Sequence, residues 1–212
     1  KTNYFDGTEA FNPFFTAIQD TNLISTSSNL RNTVFFNRTS SIVGVEYTFQ
    51  NIRSKSLLAT GFDSRINRFN ELSVRWNIKK KFTIEASAKA GEKESEADYT
   101  SGRNYKLAYY YLEPSLIYQP STTFRITLDG RYSVKENDEL LGGETARVAE
   151  IGSTFKFNQA KKGSLVGGIK SVVIDYNGDA NSALGFEMLE ALKPGVNYTW
   201  NVGYQRSISK NL

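Results

Sequence analysis

Residues 124–134 read FRITLDGRYSV, with Phe124, Ile126, Leu128, Gly130, Tyr132 and Val134 at every second position. Between them stand Arg125, Thr127, Asp129, Arg131 and Ser133. A period of two sends the two sets to opposite faces of a β-strand. Strands in soluble proteins usually run about five to six residues, and this alternation lasts roughly twice as long. An apolar face of that length needs an extended apolar surface to lie against.

The pattern recurs along the chain. Leu72, Val74, Trp76 and Ile78 alternate with polar residues, as do Phe82, Ile84, Ala86, Ala88 and Ala90. So do Ala108, Tyr110, Leu112, Leu116 and Tyr118, and later Val196, Tyr198, Trp200, Val202 and Tyr204. Weaker versions lie at 43–49 and 149–157. The stretch 165–176 loses its phase around Lys170 and Ser171, where a bulge is the simplest account. Nine strands are expected, near 31–37, 42–54, 67–78, 82–96, 105–118, 123–136, 146–158, 164–176 and 196–207. Residues 1–30 read as an irregular segment or external loop ahead of a strand region at 31–212. Only 8–19 and 182–192 could be helical, as loop decoration.

Short polar turns are expected near 38–41, 79–81, 119–122 and 159–163, and longer links near 54–66, 95–104, 136–145 and 177–193. Alternation of short turns with long links is a hairpin repeat. It is also how outer-membrane barrels join strands, with short periplasmic turns and longer external loops. A membrane strand needs roughly 9–11 residues. The expected fold is therefore all-β: an antiparallel up-and-down transmembrane β-barrel of outer-membrane type, seen in part. Lipid would cover the apolar face. The aromatics Phe36, Phe82, Tyr118, Phe124, Phe157 and Tyr204 gather where that face nears the short turns, as an interfacial girdle requires. The other face carries both signs of charge (Glu71, Arg75, Glu85, Lys89, Glu113, Arg125, Asp129, Arg131, Glu150, Lys156). Such a face suits a wet lumen. The rival architecture is a sandwich with one solvated face, as in a soluble surface adhesin.

Composition narrows the chemistry. Cys and His are absent, which excludes thiolate or imidazole zinc sites, Ser-His-Asp and Cys-His systems, and disulfides. The net charge is +4, with Lys and Arg spread along the strands, so nucleic acid is not an expected partner. The chain opens on Lys1 with no signal peptide and is expected to be a mature or excised piece. Nine strands would leave a barrel unclosed, so at least one further strand is expected.

Three segments carry a resemblance: FNRTSS at 36–41, LLATGFDSR at 57–65, and LEALKPGVNYTWNVGYQRSISKNL at 189–212. They resemble the C-terminal region of large outer-membrane β-barrel proteins of Bacteroidota. In that family a Leu-rich turn, Pro-Gly and an Asn-Tyr-x-Trp-Asn strand precede a last hairpin, whose closing strand carries Gly-Arg-Lys and an aromatic end. This sequence stops just before such a strand. The resemblance implies location in a bacterial outer membrane and barrel architecture, and implies no substrate.

No catalytic, cofactor-binding or metal-ligating residue is assigned. Asp175, Asn177, Asp179 and Asn181 space oxygens as a calcium loop can. The EF-hand pattern nonetheless fails, with Ala180 in place of Gly and Phe186 in place of Glu. The carboxylates Glu71, Glu85, Glu113, Asp129 and Glu150 have basic neighbours on their own face, which points to ion pairs. The expected function is a non-enzymatic wall, scaffold or pore with outer-membrane lipid as its partner. The alternative is a subunit of a larger transport or secretion assembly, like the type IX translocon. One register follows as well. If the hairpin at Lys79-Lys80-Lys81 is symmetric about Lys80, Arg75 faces Glu85, Glu71 faces Lys89 and Trp76 faces Ile84.

Overall fold

The structure, a computed structural model, describes residues 2–4, 23–58, 61–98, 102, 104–159 and 163–206. The helical expectation at 8–19 lies outside them, as does the tip of the turn at 159–163. Among the described residues ten strands follow one another: β1 (Thr2–Tyr4), β2 (Leu23–Phe36), β3 (Val43–Leu58), β4 (Gly61–Ile78), β5 (Phe82–Ala97), β6 (Tyr105–Tyr118), β7 (Phe124–Asn137), β8 (Thr145–Gln159), β9 (Gly163–Tyr176) and β10 (Gly195–Gln205). Among the described residues the one α-helix, α1 (Ala183–Leu189), precedes β10. All ten strands form a single antiparallel sheet whose order in space is the order in sequence. This is the expected all-β, up-and-down arrangement, part of a barrel wall. The sandwich rival has no second sheet among the described residues.

The hairpin at Lys79-Lys80-Lys81 has the expected register. Ile78 faces Phe82, Trp76 faces Ile84, Arg75 faces Glu85 and Glu71 faces Lys89. Lys89 Nζ lies 3.9 Å from Glu71 Oε2. Arg75 instead donates from Nη2 to the carbonyl of Ser40 at 3.1 Å. Lys79 and Lys80 both sit at positive φ (51° and 56°), the backbone that a tight hairpin with two central left-handed residues demands.

Consecutive registers carry the two faces from strand to strand without a slip in phase between β2 and β10. The apolar face is bare: Leu128 is 49% exposed, Ile151 70% and Trp200 78%. Along the short-turn end of that face run Phe36, Phe82, Tyr118, Phe124, Phe157 and Tyr204, the aromatics expected there. Phe82 and Tyr118 stack at 4.6 Å between ring centroids. A second aromatic group (Tyr47, Tyr110, Tyr132) lies further from those turns on the same face, and Tyr47 Oη donates to Asn70 Oδ1 at 2.7 Å.

Four expectations need correction. First, β2 begins at Leu23, so part of the supposed irregular segment 1–30 is a paired strand, as is β1. Second, the link expected near 54–66 is ladder: β3 and β4 stay paired out to Leu58 opposite Gly61. Polar residues occupy both faces there (Lys55 and Ser64 on one, Ser54, Ser56, Asp63 and Arg65 on the other), so period two fades while the backbone remains hydrogen-bonded. Third, β9 has no bulge at Lys170 and Ser171, and its pairing with β8 is continuous. Its phase only seemed lost in the sequence because Val172 and Ile174 make the polar face apolar where α1 covers it. Fourth, α1 is no decoration, since it seals the two buried apolar clusters of the described residues.

Pro114 sits mid-strand in β6 without breaking the register, because Gly130 on β7 gives its ring room. A Cβ on Gly130 would lie 3.3 Å from Pro114 Cγ.

Candidate functional site

The polar face, with α1 laid across it, is where the chain concentrates its charge. Ser182 caps α1, its hydroxyl accepting from the Gly185 amide at 2.9 Å. Leu184, Met188 and Leu189 then point at the sheet. Leu184 and Met188 pack on Leu107 and Ala146, and Leu189 packs on Val148, Val172 and Ile174. Met188 and Ala146 are fully buried.

Charged groups hold the edges of this contact. Lys135 of β7, whose side chain is 5% exposed, donates from Nζ to the carbonyls of Glu187 and Met188 (3.1 Å each) and to Glu190 Oε1 (2.9 Å). It thereby satisfies carbonyls that the end of a helix leaves without partners. Arg131 grips Glu190 through both Nη atoms at 2.8 and 2.9 Å, a bidentate pair. Its Nε lies 3.2 Å from Glu113 Oε1 without the alignment of a hydrogen bond. Its guanidinium stands 4.8 Å from the Tyr111 ring centre, within cation–π range. On the far side of α1, Lys93 of β5 pairs with Glu187.

Glu190 lies in the link and not in a strand. Burial pushes its carboxyl pKa up, but hydrogen bonds from Arg131 and Lys135 and their charges outweigh that and hold it below the ordinary value of 4.5. A depressed carboxylate contributes stability that is complete above its unfolded pKa and is lost as pH falls through the folded one. The hold on α1 should therefore be constant from neutral pH down to about 4.5 and weaken only in more acid solution. Amide-exchange protection across 183–190, referred to the intrinsic rate at each pH, should hold until that point. Loss of protection near pH 6 would contradict it.

Gly91 makes room for a further buried group. It lies between Phe69 on β4 and Tyr109 on β6, each 7% exposed. A Cβ there would stand 2.7 Å from Phe69 Cβ and 2.8 Å from Tyr109 Cζ. Tyr109 in turn donates to Asn67 Oδ1 at 2.8 Å, and Lys89 Nζ sits 3.8 Å above the Phe69 ring. Gly91→Ala should cost about 1–3 kcal/mol by overpacking. Gly152→Ala on the same face of β8, with no contact closer than 3.6 Å, is the matched control in a urea titration.

Two open cavities, of about 280 and 670 Å³, share Glu71, Glu113 and Arg131 as lining, so the polar face forms one continuous groove running out from beneath α1. Its charges pair off: Glu71 with Lys89, Glu113 with Arg131, Glu150 with Lys170. Asp129 accepts from Ser115 Oγ at 2.8 Å. The lining thus carries both signs of charge in balance. Outside the groove, Arg125 and Lys156 are like charges directly opposite each other near the short turns.

The carboxylates read as ion-paired from the sequence are thus mostly paired, though Glu85 and Arg75 are cross-strand neighbours without a direct bridge. The stretch 175–182 prepares α1: Asp179 Oδ1 accepts from the Asn181 amide and Ser182 caps the helix. No cluster of three or more acidic side chains that could hold a metal occurs among the described residues. Sequence reasoning missed Lys93, Lys135, Glu187 and Glu190. A signal was present, since Leu184 and Met188 stand four apart, with Glu187 and Glu190 three apart beside them, as on a short amphipathic helix.

Comparison of the chain with protein-family models, curated proteins and solved structures finds no match.

Proposed function

We propose that this chain forms part of the wall of an outer-membrane β-barrel and acts as a non-enzymatic scaffold or pore. The observation that carries the reading is the bare apolar face, continuous from β2 to β10 and edged by aromatics at the short-turn end. In water so large an uncovered patch would drive aggregation. In a bilayer it is the surface a barrel presents to lipid, while the charged face meets the lumen. The links at 138–144 and 177–194 would then face outward and the short turns the periplasm. Intact cells should label Leu140→Cys, at a site 94% exposed, and spare Lys80→Cys. Labelling of position 80 alone would invert the topology, and a monodisperse protein in buffer without detergent would overturn the membrane reading. Among the described residues β10 pairs only with β9. In a second reading the wall belongs to a larger transport or secretion assembly. Co-purification of stoichiometric partners from the membrane would favour it over a lone pore.

A further inference from the structure

The fold gathers charges that are scattered in sequence. The described short turns, 37–42, 79–81 and 119–123, hold Arg38, Lys79, Lys80 and Lys81 and no acidic residue. The described links at the opposite end of the sheet hold Asp98, Asp138, Glu139, Glu144, Asp179, Glu187 and Glu190 against Lys193 alone. The sheet is thus charged oppositely at its two ends. At the acidic end Glu187 and Glu190 are already engaged by Lys93, Lys135 and Arg131. At the basic end Lys79, Lys80 and Lys81 follow Ile78 and precede Phe82, both on the bare apolar face. Three adjacent cations at a hairpin tip repel one another, and two of them occupy left-handed backbone that lysine does not favour.

We infer that this basic rim binds the headgroups of anionic phospholipids. The inference rests on the membrane reading above. Its second support is position, because the cations lie immediately beyond the aromatic row of Phe82, Tyr118 and Phe124. Aromatic girdles sit at headgroup level, so cations one step beyond them stand at phosphate depth. Basic residues at that depth draw anionic lipid. An acidic soluble protein is the competing occupant. Such a partner would not require the cations to adjoin the apolar face.

The chain supplies its own reporter. Trp76 lies on the bare face two residues before Ile78, at the foot of the lysine turn, and Trp200 is the other tryptophan. The full chain carrying Trp200→Phe would be folded into phosphatidylcholine vesicles containing either brominated phosphatidylcholine or brominated phosphatidylglycerol. Brominated phosphatidylglycerol should quench Trp76 with an apparent association about fivefold stronger than the neutral lipid. The preference should vanish in Lys79→Gln/Lys80→Gln/Lys81→Gln and fall with added salt. Equal quenching by the two lipids in the parent would overturn the inference and leave the rim to an acidic protein. Quenching by neither would instead sink the membrane reading on which it stands.

Discussion

Leu128→Arg should lower the unfolding free energy of the vesicle-folded protein by about 2–4 kcal/mol if its face meets lipid as proposed, the cost of a cation near a bilayer midplane. Leu128 stands midway along the apolar face of β7, between Leu116 on β6 and Ser153 on β8, and is 49% exposed. In a water-soluble fold a substitution at so exposed a site would change stability by no more than about 0.5 kcal/mol. The size of the effect therefore reports the solvent on that face. Thr127→Val, one residue away on the polar face, is the control and should cost less. Urea titration of both variants decides the matter. Indifference to Leu128→Arg combined with failure of Thr127→Val would exchange the two faces.

Lys135→Met should release α1. The variant keeps the apolar stem but removes the Nζ donor to the Glu187 and Met188 carbonyls and to Glu190, which keeps its two bonds from Arg131. Loss of one partner from a nearly buried charge pair, with two carbonyls left wanting, should cost about 2–4 kcal/mol. The loss should be local, so amide exchange across 183–190 should rise sharply while β3 and β4 keep their protection. Lys135→Met/Glu190→Gln should recover part of the loss, with a coupling of about 0.5–3 kcal/mol. Unchanged exchange in α1 would show that apolar packing alone holds the helix.

The strands were legible wherever one face was bare and the other wet, because only there does period two survive in the residues. Phe124 to Val134 and the Lys79-Lys80-Lys81 hairpin could be placed to the residue on that basis. The reading failed where the two faces share one environment. Between Ser54 and Ile66 both faces mix polar and apolar residues, and paired strand looked like a loop. At Val172 and Ile174 both are apolar, because α1 dries the inner side, and a continuous strand looked bulged. The latch itself was harder to see. Lys135 and Glu190 lie 55 residues apart, and nothing local in either stretch says that they meet.

In a meander each strand packs chiefly on the one before and the one after. Mechanically it is a row of hinges, and each hairpin can zip or fray with little regard for its distant neighbours. The helix breaks that independence. Through Glu187 it reaches Lys93 on β5, and through Leu189 it reaches Val172 on β9, so it clasps five strands at once. A clasp of that span can fasten only when all five hang in the right order. Once fastened, it sets the bend of the sheet beneath it and turns a run of separate zippers into one cooperative panel.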